Sequence, residues 1–240
     1  MKDIEIRGLS KSFGQKVAVD NISLDVEQGE LLGLLGVNGA GKTTTIRLLS
    51  CLSRPSGGDA LICGHSIVHD EQDVKSMISI SPQETSVAPN LTVRENLQLI
   101  AGIYGRPRAQ AERVIERFSL GQIADTRAKK LSGGWQRRLS IAMAMVSEPR
   151  VLFLDEPTLG LDVLARRELW NHIVALKGHI TMVLTTHYLE EVEALCDRVA
   201  VMANGHILAV GTVAELTAAT GTQNLEDAFI SISEGREVKI

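Results

Sequence analysis

The sequence predicts an α/β fold, with a largely parallel sheet at its centre and a helical insertion between its two halves. Short apolar runs alternate with helical periods near both ends of the chain, the pattern of strands buried under helices. Between roughly 83 and 148 the period is helical throughout. An Asn204-Gly205 pair between two apolar runs marks a tight hairpin in the second half.

At the N-terminus Ile4 and Ile6 alternate with polar residues, and Ile22, Leu24 and Val26 do so again before Gln28-Gly29, so both stretches read as strands. Leu31–Leu35 is an apolar strand running into a glycine-rich turn and a helix over 42–52. A short strand over 60–63 closes at Gly64. Helices follow over 91–103, with Thr92 as cap, over 110–120, and over 132–147, where Ser132 can cap. On that last helix Trp135, Leu139, Ala142, Met143 and Val146 share a face, while Arg137 and Arg138 read as the solvated side. After Pro149 come a strand over 151–154 and a helix over 164–177, with Leu169, Trp170, Ile173 and Val174 inward and Gly178 as its stop. A strand over 180–184, a helix over 189–196, the hairpin strands 199–202 and 207–210, and a helix over 224–230 complete the chain.

Composition narrows the function. The 240 residues are 44% hydrophobic and 22% charged with a formal net charge of −4, which suits a soluble globular protein and offers no basic face for nucleic acid. The longest apolar runs, 31–37 and 141–146, fall far short of the roughly 18–20 residues of a membrane span. The charged start MKDIEIRG lacks the apolar stretch of a signal peptide. The chain is therefore expected to stay in the cytoplasm. Cys51, Cys63 and Cys196 cannot all pair, and Cys63, His65 and His69 match no zinc spacing, so they read as turn and core residues.

Residues 36–43, GVNGAGKT, carry Gly36, Gly41, Lys42 and Thr43 in the spacing of a phosphate-binding loop. Glycines let consecutive N–H groups converge on an anion, and the helix that follows adds the positive end of its dipole. Lys42 is placed to neutralise outer phosphates and Thr43 to ligate Mg²⁺. Residues 151–156, VLFLDE, end an apolar strand in two carboxylates. Ligands sit at the carboxyl ends of such strands, which puts Asp155 at Mg²⁺ and Glu156 at an attacking water. Ser132, Gly133 and Gly134 leave a helix N-terminus open to an anion.

In order, GVNGAGKT, Gln83 in SPQE, LSGGWQRR, VLFLDEP, LGLD and TTH resemble an ATP-binding subunit of an ABC transporter, from Phe13 to about residue 215. The resemblance implies a P-loop NTPase core of mostly parallel sheet, an antiparallel N-terminal β subdomain and an inserted helical subdomain. Core segments would be 1–82 and 149–220, the helical subdomain 83–148, and a short tail 221–240. It implies ATP and Mg²⁺ as ligands, with Phe13 stacking on adenine and Gly36, Val37, Asn38, Gly39, Ala40, Gly41, Lys42, Thr43 and Thr44 holding phosphates. Asp155, Thr43 and Gln83 would hold the metal, with Gln83 also contacting the water and sensing a membrane partner. Glu156 would be the general base and His187 would contact the γ-phosphate. Ser132, Gly133 and Gly134 would complete a site held mainly by a second subunit, and Asp162, also a competent helix cap, would link the sites.

The same resemblance predicts a homodimer, or a heterodimer with a related ATP-binding subunit, on separate transmembrane permease subunits at the cytoplasmic face of the membrane, with no nucleic-acid partner. Trp135 stands where the family usually has Gln, and Phe13 where Tyr is more frequent; the glycines, serine and ring face they accompany are intact. A soluble ABC-type ATPase and a non-hydrolysing regulatory module are the rival readings. The first normally needs a longer chain, and intact Glu156 and His187 oppose the second. The wording VNGAGKTTTIRLL, EPTLGLD and GTVAEL is similar to the branch exporting drugs, lipids or polysaccharides, and the absence of a long extension after 221 disfavours the sugar-importer branch.

Overall fold

The structure is a computed structural model describing residues 1–235. Residues 236–240 of the predicted tail lie outside it. An antiparallel sheet is built from β1 (Lys2–Phe13), β2 (Lys16–Glu27), β4 (Gly57–Ile62) and β5 (His65–Ser66), in the order β2-β1-β4-β5. The second sheet runs β10-β9-β3-β8-β7-β6, from β3 (Leu31–Leu35), β6 (Ile78–Ser81), β7 (Val151–Asp155), β8 (Thr181–Thr186), β9 (Arg198–Ala203) and β10 (His206–Gly211). Its strands pair in parallel except for the β9–β10 hairpin. There Asn204 and Gly205 both adopt positive φ (50° and 83°), the backbone a two-residue hairpin turn demands.

Strands β3, β7 and β8 are buried at every position, as expected where helices cover both faces. α1 (Lys42–Leu49) and α2 (Glu71–Met77) belong to the core. α3 (Val93–Ile103), α4 (Arg108–Arg117) and α5 (Gly133–Met145) form the helical stretch. α6 (Val163–Val174), α7 (Leu189–Leu195), α8 (Val213–Thr220) and α9 (Leu225–Ser233) follow. One apolar cluster joins Val93, Leu97, Phe118, Leu139 and Ile141 of the helical stretch to Leu152, Leu154 and Leu184 of the sheet. A second fills the space between the two sheets, around Ile4, Ile6, Leu34, Ile46 and Phe153.

Thr92 caps α3 through a reciprocal capping box with Glu95, the arrangement that satisfies two orphan N–H groups at once. Ser132 occupies the corresponding place before α5 but makes no side-chain cap bond. Val174 is 47% exposed, not inward. The buried face of that segment runs through Leu169, Ile173 and Leu176, and Val174 lies about 100° around the helix from Ile173. Arg137 and Arg138 are buried at 3% and 7% exposure, so they are not a solvated face. The carbonyls that hold Arg137 come from distant loops. Arg138 instead lies 4.2 Å over the Trp135 ring and pairs with Glu168 of α6.

Candidate functional site

Between β3 and α1 the chain turns through residues 36–41, pinned at both ends. The Gly36 N–H donates to Thr186 O at 3.3 Å, and Gly205 N–H donates to Ala40 O at 2.9 Å. Gly41 has φ +110°, and a Cβ there would sit 2.5 Å from Ala18 O; at Gly36 it would sit 2.2 Å from Met202 O. Both neighbours are backbone and cannot step aside. Gly41→Ala is therefore expected to lower stability by about 1–3 kcal/mol and to weaken nucleotide binding, checked by thermal unfolding and nucleotide titration.

Lys42 is 5% exposed. Its Nζ donates to Gly36 O at 2.7 Å and Val37 O at 3.3 Å and lies 3.6 Å from Glu156 Oε1. Burial lowers its pKa, opposed by the carboxylates of Glu156 and Asp155. Thr43 Oγ1 donates to Asp155 Oδ1 at 3.1 Å, and Thr185 Oγ1 donates to the same oxygen at 2.6 Å. Thr43 and Asp155 thus bring hard oxygen donors to one point, the chemistry that Mg²⁺ selects, so these residues fit that ion. Asn38 through Thr44 line a cleft of about 340 Å³ together with Lys16, Ala18, Gln83 and Glu156.

Glu156 follows β7 and is 8% exposed. Its N–H donates to Thr185 O at 3.1 Å and Thr185 Oγ1 at 3.0 Å. Its φ of +47° is one that non-glycine residues hold only where the surroundings enforce it, often at functional sites. His187, just after β8, brings Nδ1 to 2.9 Å from Glu156 Oε2, off the axis of an aligned hydrogen bond. Its ring packs on Tyr188 with centroids 4.1 Å apart. The Glu156 carboxylate is thereby held between Lys42 on one oxygen and His187 on the other.

Other predicted residues fall elsewhere. Phe13 ends β1, 54% exposed, with Lys11 Nζ 5.0 Å over its ring. Ser132 and Gly133 are exposed at the start of α5 and do not line the cleft. Asp162 is also outside it; its carboxylate accepts from Ala165 N at 2.9 Å and caps α6. A Cβ on Gly134 would lie 2.9 Å from the Ala165 Cβ, so the start of α5 and the Asp162 cap form one neighbouring surface. Thr185 and Arg137 are the site residues that sequence reasoning missed. Thr185 stands in the quoted TTH motif, but its bonds to Asp155 and Glu156 run between neighbouring strands.

The sequence profile of ABC transporters matches residues 19–159, more than half of the chain. The chain belongs to the ABC transporter family. It is 43% identical to the daunorubicin/doxorubicin resistance ATP-binding protein DrrA of Streptomyces peucetius, over 92% of this chain and 69% of the relative. It is 39% identical to the Nod factor export ATP-binding protein I of Ralstonia nicotianae, over 89% of this chain and 68% of the relative. An ATP-binding cassette of an ABC transporter in its ADP conformation superposes with a TM-score of 0.85 at 26% identity, covering 98% of this chain and 100% of that one. This ABC transporter chain is an ATP-binding subunit and an ATPase. A soluble ATPase uncoupled from transport is not favoured. Among the described residues no helix is long and apolar enough to cross a membrane.

Proposed function

We propose that this subunit powers export through separate permease subunits at the cytoplasmic face of a membrane. ATP would close two head-to-tail copies, or this chain and a related one. The names of the relatives, drug resistance and Nod factor export, support that direction. Residues 1–82 and 149–220 serve as the ATP-binding core and 83–148 as the helical subdomain; of the short tail from 221, Leu225 and Ile232 of α9 pack with Leu35 and Val201 of the core.

The observation that carries the reading is the clamped Glu156 carboxylate, 3.6 Å from Lys42 and 2.9 Å from His187 at the mouth of the glycine turn. Gly36 through Thr44 receive the phosphates, and Phe13 stacks on the base. A phosphate taken by Lys42 competes with Glu156 for the same ammonium, so nucleotide binding frees the Glu156 carboxylate to face water. Glu156 then accepts the proton of the attacking water, and His187 steadies the γ-phosphate. Thr43, Asp155 and Gln83 would hold Mg²⁺, which would supply neutralising charge at the phosphates.

Ser132, Gly133 and Gly134 lie off the cleft of their own chain because they complete the γ-phosphate seat of the other copy, with Asp162 beside them linking the two sites. Complementation tests this arrangement. Lys42→Ala and Ser132→Arg should each be inactive alone. Mixed, they form dimers in which the intact phosphate loop of one chain meets the intact helix start of the other, and ATPase activity returns. Failure of every mixture to exceed the separate variants, with mixed dimers shown to form, rules the shared site out.

A further inference from the structure

Arg137 is a buried charge that the nucleotide chemistry above leaves without a role. It lies near the start of α5, yet its guanidinium reaches the loops after two strands of the sheet. Nε donates to Pro157 O at 2.7 Å, and Nη2 donates to Asp155 O at 2.7 Å and Glu156 O at 2.8 Å. Nη1 donates to Gln83 O at 2.9 Å and to Pro82 O. Each N–H of the arginine fork thus has a backbone carbonyl. Burial pushes the guanidinium pKa down to about 10, against the opposing pull of the Asp155, Glu191 and Glu156 carboxylates.

The carbonyls are those of the residues that do the chemistry. Glu156 holds its left-handed backbone with its N–H bonded to Thr185 and its C=O bonded to Arg137. The two bonds fix both peptide planes flanking Glu156, and with them the direction of its carboxylate. Gln83 is tied to the same guanidinium through its own carbonyl. Meanwhile α5 begins with Gly133 and Gly134, which the proposal above assigns to the second copy's site.

We propose that Arg137 is a positioning residue for hydrolysis, through which a shift of the α5 start is passed to the backbones of Glu156 and Gln83 together. The inference rests on Glu156 being the base and on the α5 start completing the other copy's site. It assigns no substrate contact to Arg137. Lysine cannot replace it, since three donors on a point charge cannot span carbonyls on both loops.

The test uses the full chain carrying Arg137→Lys or Arg137→Gln, with steady-state ATPase, ATP-analogue binding and thermal unfolding measured on each. kcat should fall by about tenfold to a hundredfold, the scale of an ångström misplacement of a catalytic group. KM for ATP and analogue affinity should stay within about twofold, because the phosphate loop is untouched. Leu139→Ala, a cavity in the same helix, should lower the melting temperature while leaving kcat per folded chain within about twofold. The proposal is overturned by parent-like kcat in the arginine variants, by KM rising in step with the fall in kcat, or by an equal kcat loss in Leu139→Ala. Failure of both arginine variants to fold would make Arg137 a core element alone and overturn it too. Parent-rate turnover in Glu156→Gln defeats the reading of the base instead, so the two failures are distinguishable.

Discussion

Glu156→Gln should reduce ATP turnover by roughly 10²- to 10⁴-fold, the contribution of a positioned general base, while nucleotide binding survives. The amide keeps the size of the carboxylate and its contact with His187, but it cannot take a proton from water. It also removes the negative charge 3.6 Å from Lys42, freeing that ammonium for phosphate. ATP should therefore bind at least as well and, unhydrolysed, hold two copies closed. Single-turnover kinetics, nucleotide titration and sizing with and without ATP check the three parts of this expectation. Parent-rate hydrolysis by this variant would remove Glu156 from the role of base.

Lys42→Ala should have the opposite profile, losing binding rather than only turnover. The buried ammonium is already oriented by Gly36 O and Val37 O, so it meets phosphate without first being ordered. A charged hydrogen bond of this kind is worth about 1.5–3 kcal/mol, so nucleotide affinity should weaken by roughly tenfold to a hundredfold, with turnover falling further. Equilibrium titration with a fluorescent ATP analogue measures it. Affinity unchanged within about twofold would show that the backbone N–H groups and helix N-terminus hold the phosphates unaided.

Local features were the legible ones. GVNGAGKT, VLFLDE, the Thr92 cap and the Asn204-Gly205 turn are each decided by residues adjacent in sequence, and each forms as expected. The alternation of ISIS over 78–81 reads at most as a half-solvated strand. In the fold Ser79 and Ser81 are buried and bonded to Ser147 at 2.8 Å and Ser140 at 3.2 Å, contacts across more than fifty residues that no period reveals. Arg137 was misread for a related reason. Its partners are backbone carbonyls of residues 82–83 and 155–157, and a carbonyl has no letter in the sequence. The placing of Ser132, Gly133 and Gly134 away from the phosphate loop was likewise invisible locally and came only through the resemblance to the ABC family.

On the shared-site proposal, one copy's glycine turn holds ATP and the other copy's α5 start completes the site. The most direct measurement is ATPase rate per chain across a dilution series, with the association state followed by sedimentation on the same samples. The rate per chain should fall as dimers dissociate and be lost in purely monomeric samples. A constant rate per chain, carried by samples that sediment as single copies with ATP present, would contradict it.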